Sequence, residues 1–267
     1  MIKVPITLSL CASLAACGGG MSSSSPLSVH QQAAAEGLYS GTSAANERIT
    51  GVVLETGAYY VFFGPPGGAA GVAGVVTGTG ISDGGTFSSS DGRAFDMLNH
   101  SVTSASLSAT YVAKQSLDGS VSINEHSPSF TSAYNTLYDQ APSMTSLAGA
   151  WSGQAASTGG LETSSLTVSA SGAISGTTST GCAFTGELAP HGNHGGVYDI
   201  SLSFGAAPCP FASSSLSGIA VFDPAAMTLV AAAPDATGTD GVLISAQMER
   251  PVVTPHYRGP TVTPTAS

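Results

Sequence analysis

Short runs of alternating or β-branched residues recur along most of the chain, and this pattern constrains the fold more than any other sequence feature. The runs are RITGVV, AYYVFF, SVTSASLSATYVA, SVSIN, SLTVSAS, VYDISLSF, SGIAVF and GVLISAQ. Runs of this kind, separated by glycine, aspartate and serine, predict short strands. Helical periodicity is nearly absent, and the best candidate is one turn near residues 141–149. The sequence therefore predicts an all-β protein with almost no helix.

Four dipeptides that end in glycine lie between neighbouring runs and predict hairpin turns. They are Thr56-Gly57, Asp118-Gly119, Ser171-Gly172 and Asp240-Gly241. Glycine suits these positions because it supplies the positive φ of a tight turn at little steric cost. Hairpins join antiparallel strands, so we expect antiparallel β-barrels or β-sandwiches, since short alternating strands serve both architectures.

The chain also resembles itself. GLYSG at Gly37–Gly41 recurs as GAWSG at Gly149–Gly153, and each copy is followed about twenty residues later by a hairpin signal, TGA or SGA. Self-similarity of this kind predicts two related units in tandem, which we place at residues 30–140 and 141–250. Residues 251–267 contain four prolines and no sustained apolar pattern, so we expect an extended tail there.

The N-terminus has the features of an export signal. Lys3 is the only charge in the first sixteen residues, and the mainly apolar run Val4–Leu14 is too short to span a bilayer. These features predict a signal peptide over residues 1–16. Leu14-Ala15-Ala16-Cys17 then resembles the lipobox of bacterial lipoproteins, against the alternative of an ordinary signal peptide with an accidental cysteine.

The lipobox resemblance implies that Cys17 receives a diacylglyceryl group and becomes the new N-terminus. Residues 17–29 begin with this cysteine and are rich in glycine and serine, a composition typical of a flexible tether. Gly18 follows the cysteine, whereas aspartate there favours retention in the inner membrane of lipoprotein-producing bacteria. The resemblance thus implies a lipid-anchored protein of the cell outer membrane, on its periplasmic or its surface-exposed face.

The remaining cysteines agree with export. Cys11 would leave with the signal peptide and Cys17 would carry lipid, so Cys182 and Cys209 remain. In an oxidising compartment we expect this pair to form a disulfide, which would contribute roughly 3 to 4 kcal/mol of chain entropy. A redox couple or metal site is disfavoured because the spacing is not CxxC.

Composition excludes one class of partner. The formal charge is −10, with six lysines and arginines scattered along the chain, whereas nucleic-acid binding needs clustered basic residues. Charged residues make up only 8% of the chain, so solubility rests on serine, threonine and glycine. That balance is typical of an exported β-rich protein.

Candidate catalytic residues are few. GISDG at Gly80–Gly84 satisfies the G-x-S-x-G pattern of a nucleophile elbow around Ser82, but the elbow needs a strand-turn-helix context that the flanks do not offer. His191 and His194 in HGNH could offer two imidazoles to a metal, yet no nearby cysteine or acid cluster joins them, so a solvated loop is expected. We assign no catalytic residue, no metal site and no cofactor.

The aromatic residues of the repeat have two interpretations. Tyr39 and Trp151 lie between glycines on the first strand of each unit, where an aromatic ring would plug the end of a small barrel. GAW also resembles the G-x-W opening of lipocalin-like barrels, in which a basic residue of the last strand packs over the tryptophan. Arg250 falls near that position.

A lipidated cysteine, a tether and small β-barrels together are similar to the surface lipoproteins of Gram-negative bacteria that bind host proteins. No binding residue carries over from that resemblance. We favour a non-enzymatic lipoprotein that binds an envelope component, a host protein or a small apolar ligand through its loops or barrel interior. The alternatives are an envelope hydrolase using Ser82 or the His191/His194 pair, and a structural spacer. A membrane-spanning barrel is disfavoured at 7% aromatic content.

Overall fold

The computed structural model describes residues 34–68 and 71–249 of the chain. Several predictions fall outside these residues: the signal peptide 1–16, the lipidation site Cys17, the tether 17–29, Arg250 and the tail 251–267. Within the described ranges, no helix has the length and apolar character needed to cross a membrane.

Nine strands form the first half of the described chain. Their bounds are β1 Gly37–Ser43, β2 Arg48–Val53, β3 Ala58–Phe63, β4 Gly74–Thr79, β5 Ile81–Asp83, β6 Thr86–Asp96, β7 Ser101–Val112, β8 Ser116–Ile123 and β9 Ser129–Tyr134. All pairings are antiparallel, and β1 pairs with β9. Strands β4 and β5 both pair with β6, along different halves of it, so together they act as one interrupted strand. The result is a closed eight-stranded barrel, named barrel 1 below.

Eight further strands form the second half. Their bounds are β10 Gly149–Ser157, β11 Gly160–Val168, β12 Ala173–Thr178, β13 Ala183–Pro190, β14 Val197–Phe204, β15 Ser215–Asp223, β16 Thr228–Pro234 and β17 Gly241–Met248. Each strand pairs with its sequence neighbour in antiparallel fashion, and β17 returns to pair with β10. This closed ring is named barrel 2.

The prediction of an all-β fold with two tandem antiparallel units is therefore confirmed, and the choice left open between barrels and sandwiches falls to barrels. The described residues contain only two short 3₁₀ segments, Pro66–Gly68 and Thr136–Asp139. The predicted helical turn near 141–149 is a simple hydrogen-bonded turn, in which Leu147 N donates to Met144 O at 3.1 Å.

Alternation along the strands separates two apolar regions of barrel 1. On β2, Ile49 and Val53 belong to the cluster inside the barrel, whereas Val52 points outward. The outward side chains meet those of barrel 2 in a shared apolar layer. Its buried members are Leu38, Val52, Leu54, Phe62, Val75, Phe95, Met97, Tyr138, Ala156, Val197, Ile219, Val221, Ala232 and Leu243. Because both barrels contribute to this layer, their outer walls pack directly together.

The repeated motif occupies equivalent places in the two barrels. Tyr39 Oη donates to Ala35 O at 2.9 Å, and Trp151 Nε1 donates to Leu147 O at 3.0 Å, so each ring is tied to the residue four positions before it. A Cβ on Gly41 would lie 1.9 Å from a backbone oxygen of the closing strand β9, and one on Gly153 would lie 2.0 Å from a backbone oxygen of β17. Barrel closure therefore requires glycine at both positions.

One predicted hairpin is wrong. Asp118-Gly119 lies inside β8, and the turn from β7 to β8 is made by residues 113–115, with Lys114 at φ 55°. Gly119 serves the sheet instead, since a Cβ there would lie 2.3 Å from Ser108 O. Thr56-Gly57 and Ser171-Gly172 do lie in turns between strands, and Asp240-Gly241 lies where the last turn meets β17.

Candidate functional site

Ser82, the candidate nucleophile, lies on the short strand β5, which forms a hairpin with β6. Its hydroxyl oxygen accepts a hydrogen bond from Ala35 N at 3.2 Å. Within the described ranges no histidine ring bonds to this hydroxyl. The flanks of the motif are strands, so the strand-turn-helix geometry of a nucleophile elbow is absent from this part of the chain.

His191 lies in the loop between β13 and β14, but its side chain is largely shielded from solvent, which corrects the sequence expectation. Its side chain is only 15% exposed, because both ring nitrogens are engaged. Nδ1 lies 2.8 Å from Asp199 Oδ1 of barrel 2, and Nε2 lies 3.0 Å from Glu55 Oε2 in the β2–β3 turn of barrel 1. The imidazole thus bridges the two barrels, and neither nitrogen is left to bind a metal or to activate a hydroxyl.

His194 is held by different partners. Its ring stacks on Tyr138 with centroids 4.0 Å apart, and Nε2 lies 3.3 Å from Glu36 Oε1. Tyr138 Oη donates to the same oxygen at 2.9 Å. Across the described residues, no group of three or more histidine, cysteine or acidic side chains is arranged to hold a metal ion. The HGNH segment therefore acts as a connector between the barrels.

The charges around His191 favour its protonated form. Burial by itself disfavours the charged ring, but hydrogen bonds to Asp199 and Glu55 outweigh it and raise the pKa of His191 above its ordinary value. Burial also opposes the charge of Glu55, but the hydrogen bond from His191 and the charge of this ring lower the pKa of that carboxyl. The bridge is therefore an ion pair at mildly acidic pH.

The two aromatic residues of the repeat close one end of each barrel. Tyr39 and Trp151 have no exposed surface. Burial, assisted by the nearby Glu36 carboxylate, raises the pKa of Tyr39 to about 12, so its hydroxyl remains a hydrogen-bond donor. The interpretation of both residues as structural plugs accounts for these contacts. We call this the closed end of each barrel, and the chain enters both barrels there.

The opposite end of barrel 1 is open. It is formed by the connections β1–β2, β3–β4, β6–β7 and β8–β9, and we call it the mouth of barrel 1. A cavity of about 420 Å³ begins there and extends into the barrel. Its wall is mainly apolar, with contributions from Ile49, Val61, Phe63, Val76, Ala94, Val121, Ile123 and Phe130. A volume of this size falls in the range of sites for small organic ligands.

The cavity exists because small side chains point inward near the mouth. Ser43, Ala94 and Thr103 line it from three different strands, and none of them reaches across the barrel. Further in, larger rings fill the interior: Tyr59 and Phe87 meet edge to face with centroids 5.8 Å apart. The interior is thus packed at the closed end and hollow at the mouth.

The corresponding end of barrel 2 is covered. Cys182 in the β12–β13 connection forms a disulfide with Cys209 in the β14–β15 connection. Phe211 of the second connection packs on Phe204 at 5.6 Å, which in turn contacts Phe184 at 6.2 Å. The space left at this end is about 30 Å³, room for roughly one or two water molecules. Barrel 2 is therefore filled where barrel 1 is hollow.

No protein-family model matches this chain, and no curated protein matches it in sequence. Among solved structures, the chain is similar to transferrin binding protein B from Neisseria meningitidis serogroup B, at 9% identity and a TM-score of 0.27, over 76% of this chain and 66% of that one. It is also similar to a variant of transferrin binding protein B from Haemophilus parasuis, at 9% identity and a TM-score of 0.28, over 76% of this chain and 54% of that one.

A candidate outer membrane protein from Bacteroides fragilis is 14% identical, with a TM-score of 0.25, over 80% of this chain and 96% of that one. The chain thus spans only 66% and 54% of the lengths of the two transferrin binding proteins. Likeness at these scores supports no inference about function, which has to come from the residues of this chain.

The sequence did not point to the cavity of barrel 1 or to the bridge made by His191. The cavity depends on which inward side chains share one layer of the barrel, and the His191 bridge joins Glu55 and Asp199, which are 136 and 8 residues away from it in sequence. The alternating runs could have indicated which residues face inward, since every second residue does. They could not indicate which strand positions lie side by side.

Proposed function

We propose that this protein is a lipid-anchored binding protein of the bacterial outer membrane, without catalytic activity, that holds a small apolar ligand in the mouth of barrel 1. The observation that carries the proposal is the cavity of about 420 Å³ with a mainly apolar wall. Protein interiors normally contain few voids larger than a water molecule. A cavity of this volume at an open barrel end is therefore suited to ligand binding.

The anchoring part of the proposal rests on the N-terminal sequence. The run from Lys3 to Cys17 has the order of segments found in lipoprotein signals, and the glycine- and serine-rich residues after it suit a tether. Labelling cells with a palmitate analogue tests this part: the protein should take up label, and Cys17→Ser should remove it. Label on the Cys17→Ser variant would contradict anchoring at this residue.

Ligand binding is tested with a neutral apolar fluorophore, N-phenyl-1-naphthylamine, titrated into residues 17–267 carrying Cys17→Ser to avoid lipid and detergent. We expect saturable fluorescence enhancement with one site. Thr103→Trp places a large ring at the mouth, because Thr103 lines the cavity, and should weaken binding at least about tenfold, which corresponds to roughly 1.4 kcal/mol of binding free energy.

Ser106→Trp is the matched control, because Ser106 lies on the same strand with its side chain exposed on the outer face. It should bind the fluorophore like the parent chain. Circular dichroism and thermal unfolding establish that both variants fold. Absence of enhancement with the parent chain, or equal binding by the Thr103→Trp and Ser106→Trp variants, would contradict the proposed function.

A further inference from the structure

Resting on the proposed function, we infer that the mouth of barrel 1 selects ligands that join an apolar body to a positively charged group, with an alkylammonium ion as the simplest member of the class. Two features of the cavity lead to this inference. Its inner wall is apolar, and the charged side chains that line it are both acidic.

The two acidic residues lie at the mouth. Glu47 precedes β2, and Asp96 is the last residue of β6, so the two carboxylates line the cavity from different strand ends. No lysine, arginine or histidine is among the described residues that line it. A ligand whose head group remained at the mouth would therefore meet negative charge from two sides.

Neutral donors hold both carboxylates in place. Glu47 Oε2 accepts from Ser43 Oγ at 2.8 Å. Asp96 Oδ1 accepts from the backbone N–H groups of Leu98 and Asn99 at 2.9 and 3.1 Å, and Oδ2 accepts from Asn99 Nδ2 at 2.6 Å. These bonds position the charge without neutralising it. Over the described part of the chain, neither carboxylate forms a salt bridge.

The two arginines nearest in sequence to these acids do not line the cavity. Arg48 follows Glu47 directly, but it lines a separate space between the barrels together with Asp223. Arg93 lies on β6 and donates to Ser104 on the neighbouring strand at 2.7 Å, where both side chains are exposed. The acidic lining thus faces the cavity, whereas these two arginines lie outside it.

The cavity size and the charge together define the ligand class. At the roughly 30 Å³ that a water molecule occupies in the liquid, about 420 Å³ accommodates on the order of ten to twenty non-hydrogen atoms. An alkyl chain or a ring system of that size can cover the apolar wall while an ammonium group lies between Glu47 and Asp96. A carboxylate or phosphate head would be repelled at the same place, because like charges repel one another.

The test compares three ligands with the same twelve-carbon chain and different heads: dodecylammonium, dodecanol and dodecanoate, each below its aggregation threshold at pH 7. They compete with N-phenyl-1-naphthylamine on residues 17–267 carrying Cys17→Ser. We expect dodecylammonium to displace the fluorophore at a concentration about tenfold lower than dodecanoate, with dodecanol between them. Added salt should narrow the difference, since the mouth is open to solvent.

A double variant, Glu47→Gln with Asp96→Asn, removes both charges and keeps one acceptor oxygen at each position. That oxygen can still accept from Ser43 Oγ at residue 47, and from the backbone N–H groups of Leu98 and Asn99 at residue 96. It should bring the three ligands to within about twofold of one another. Glu187→Gln with Asp223→Asn is the control: it removes the same charge from barrel 2, where Asp223 likewise accepts from backbone N–H groups. This control should preserve the preference and so exclude a general effect of the acidic protein.

The outcomes separate the two claims. If the neutral fluorophore does not bind the parent chain, the proposed function fails and this inference fails with it. If the fluorophore binds but the three ligands displace it equally, or dodecanoate displaces it best, the cavity is a ligand site and the inferred charge selectivity is wrong. A preference for dodecylammonium that the Glu47/Asp96 variant retains also contradicts the inference.

Discussion

Barrel 1 and barrel 2 share a framework and differ at one end. Both are closed antiparallel rings entered beside a buried aromatic residue, and both need a glycine on the first strand for closure. At the far end, β6 finishes with Asp96 on a hollow of about 420 Å³, whereas β14 finishes with Phe204 in a space of about 30 Å³. The same type of ring therefore encloses a cavity in barrel 1 and a filled interior in barrel 2.

This difference shows which parts of such a barrel determine how much of its interior is filled. The number of strands sets the width of both interiors. The side chains of the last inward layer and the connection above it set how much of that width remains empty. In barrel 2 the connection at residues 205–214 is fixed by the disulfide and supplies Phe211 as a cover. Four predictions test this comparison.

The largest effect is expected at the closed ends. Trp151→Ala and Tyr39→Ala each remove a fully buried ring, and each should lower the free energy of unfolding by about 3 to 5 kcal/mol in urea titrations. Tyr39→Phe keeps the ring, loses only the bond to Ala35 O, and should cost about 1 kcal/mol. A small cost for one of the two alanine variants would show that the closed ends are not equivalent.

The disulfide distinguishes the covered end of barrel 2 from the mouth of barrel 1. Replacing Cys182 and Cys209 by serine should lower the free energy of unfolding by about 3 to 4 kcal/mol, since the bridge closes a loop with a sequence separation of 27. The cover would then be free to move, and we expect a second, weaker binding site for the neutral fluorophore. Binding to a single site would show that Phe204 and Phe211 fill barrel 2 without the bridge. Adding reductant to the parent chain gives an independent comparison.

Truncating an isoleucine side chain to alanine should cost less unfolding free energy beside the cavity of barrel 1 than in the filled core of barrel 2. Ile49 lines the cavity of barrel 1, and Ile200 belongs to the core of barrel 2. Replacing a core isoleucine by alanine costs about 2 to 5 kcal/mol, and the cost rises with how densely the side chain is packed. We therefore expect about 2 kcal/mol for Ile49→Ala and about 4 kcal/mol for Ile200→Ala, within that range. Equal losses of unfolding free energy would mean that the hollow is well packed in solution.

The smallest effect concerns pH and the His191 bridge. The pKa of His191 is raised on folding, so its contribution is fully present below the unfolded value of about 6.5 and is lost as pH rises through the folded-state pKa. The lowered pKa of Glu55 gives a contribution that is present above its unfolded value of about 4.3 and is lost as pH falls through the folded-state pKa. Stability from this bridge is therefore highest near pH 5 to 6.

Unfolding free energy measured at pH 6 and pH 9 checks this. The unfolding free energy of the parent chain should fall between pH 6 and pH 9. His191→Gln should make this fall smaller, by less than about 1 kcal/mol because Glu55 is partly exposed. His126→Gln is a suitable control, because His126 is exposed and forms no salt bridge with any described residue. An unchanged pH dependence in the His191→Gln variant would contradict the role of the bridge.

Much of the framework could be predicted from the sequence because it depends on local pattern. Alternation along the runs indicated strands, and the two GxxSG motifs, GLYSG and GAWSG, indicated a repeated unit. The hairpin error has a physical cause. Glycine serves both turns and close strand contacts, and at Gly119 the backbone of β7 lies too near for a side chain. This contact joins different strands, so the residues next to Gly119 in sequence do not indicate it.

The candidate site could not be predicted for a related reason. Ser43, Ala94 and Thr103 are ordinary small residues in a chain rich in them, and they create a hollow only because three strands bring them to one layer. The burial of His191 likewise depends on Glu55, which belongs to the other barrel. Such pairings follow from closure and docking of whole units, and the sequence offered no local signal for them.

The apolar layer between the barrels has a consequence for the order in which the chain assembles. Barrel 1 is closed by the pairing of β9 with β1, and its outward side chains Leu38, Val52 and Phe62 are buried in the layer shared with barrel 2. Domains generally fold as units, the N-terminal one first during synthesis, and transiently exposed apolar surface promotes aggregation. A chain stopped just after barrel 1 would keep that surface exposed. Folding of barrel 2 therefore covers the apolar outer surface of barrel 1 and should reduce aggregation of the nascent chain.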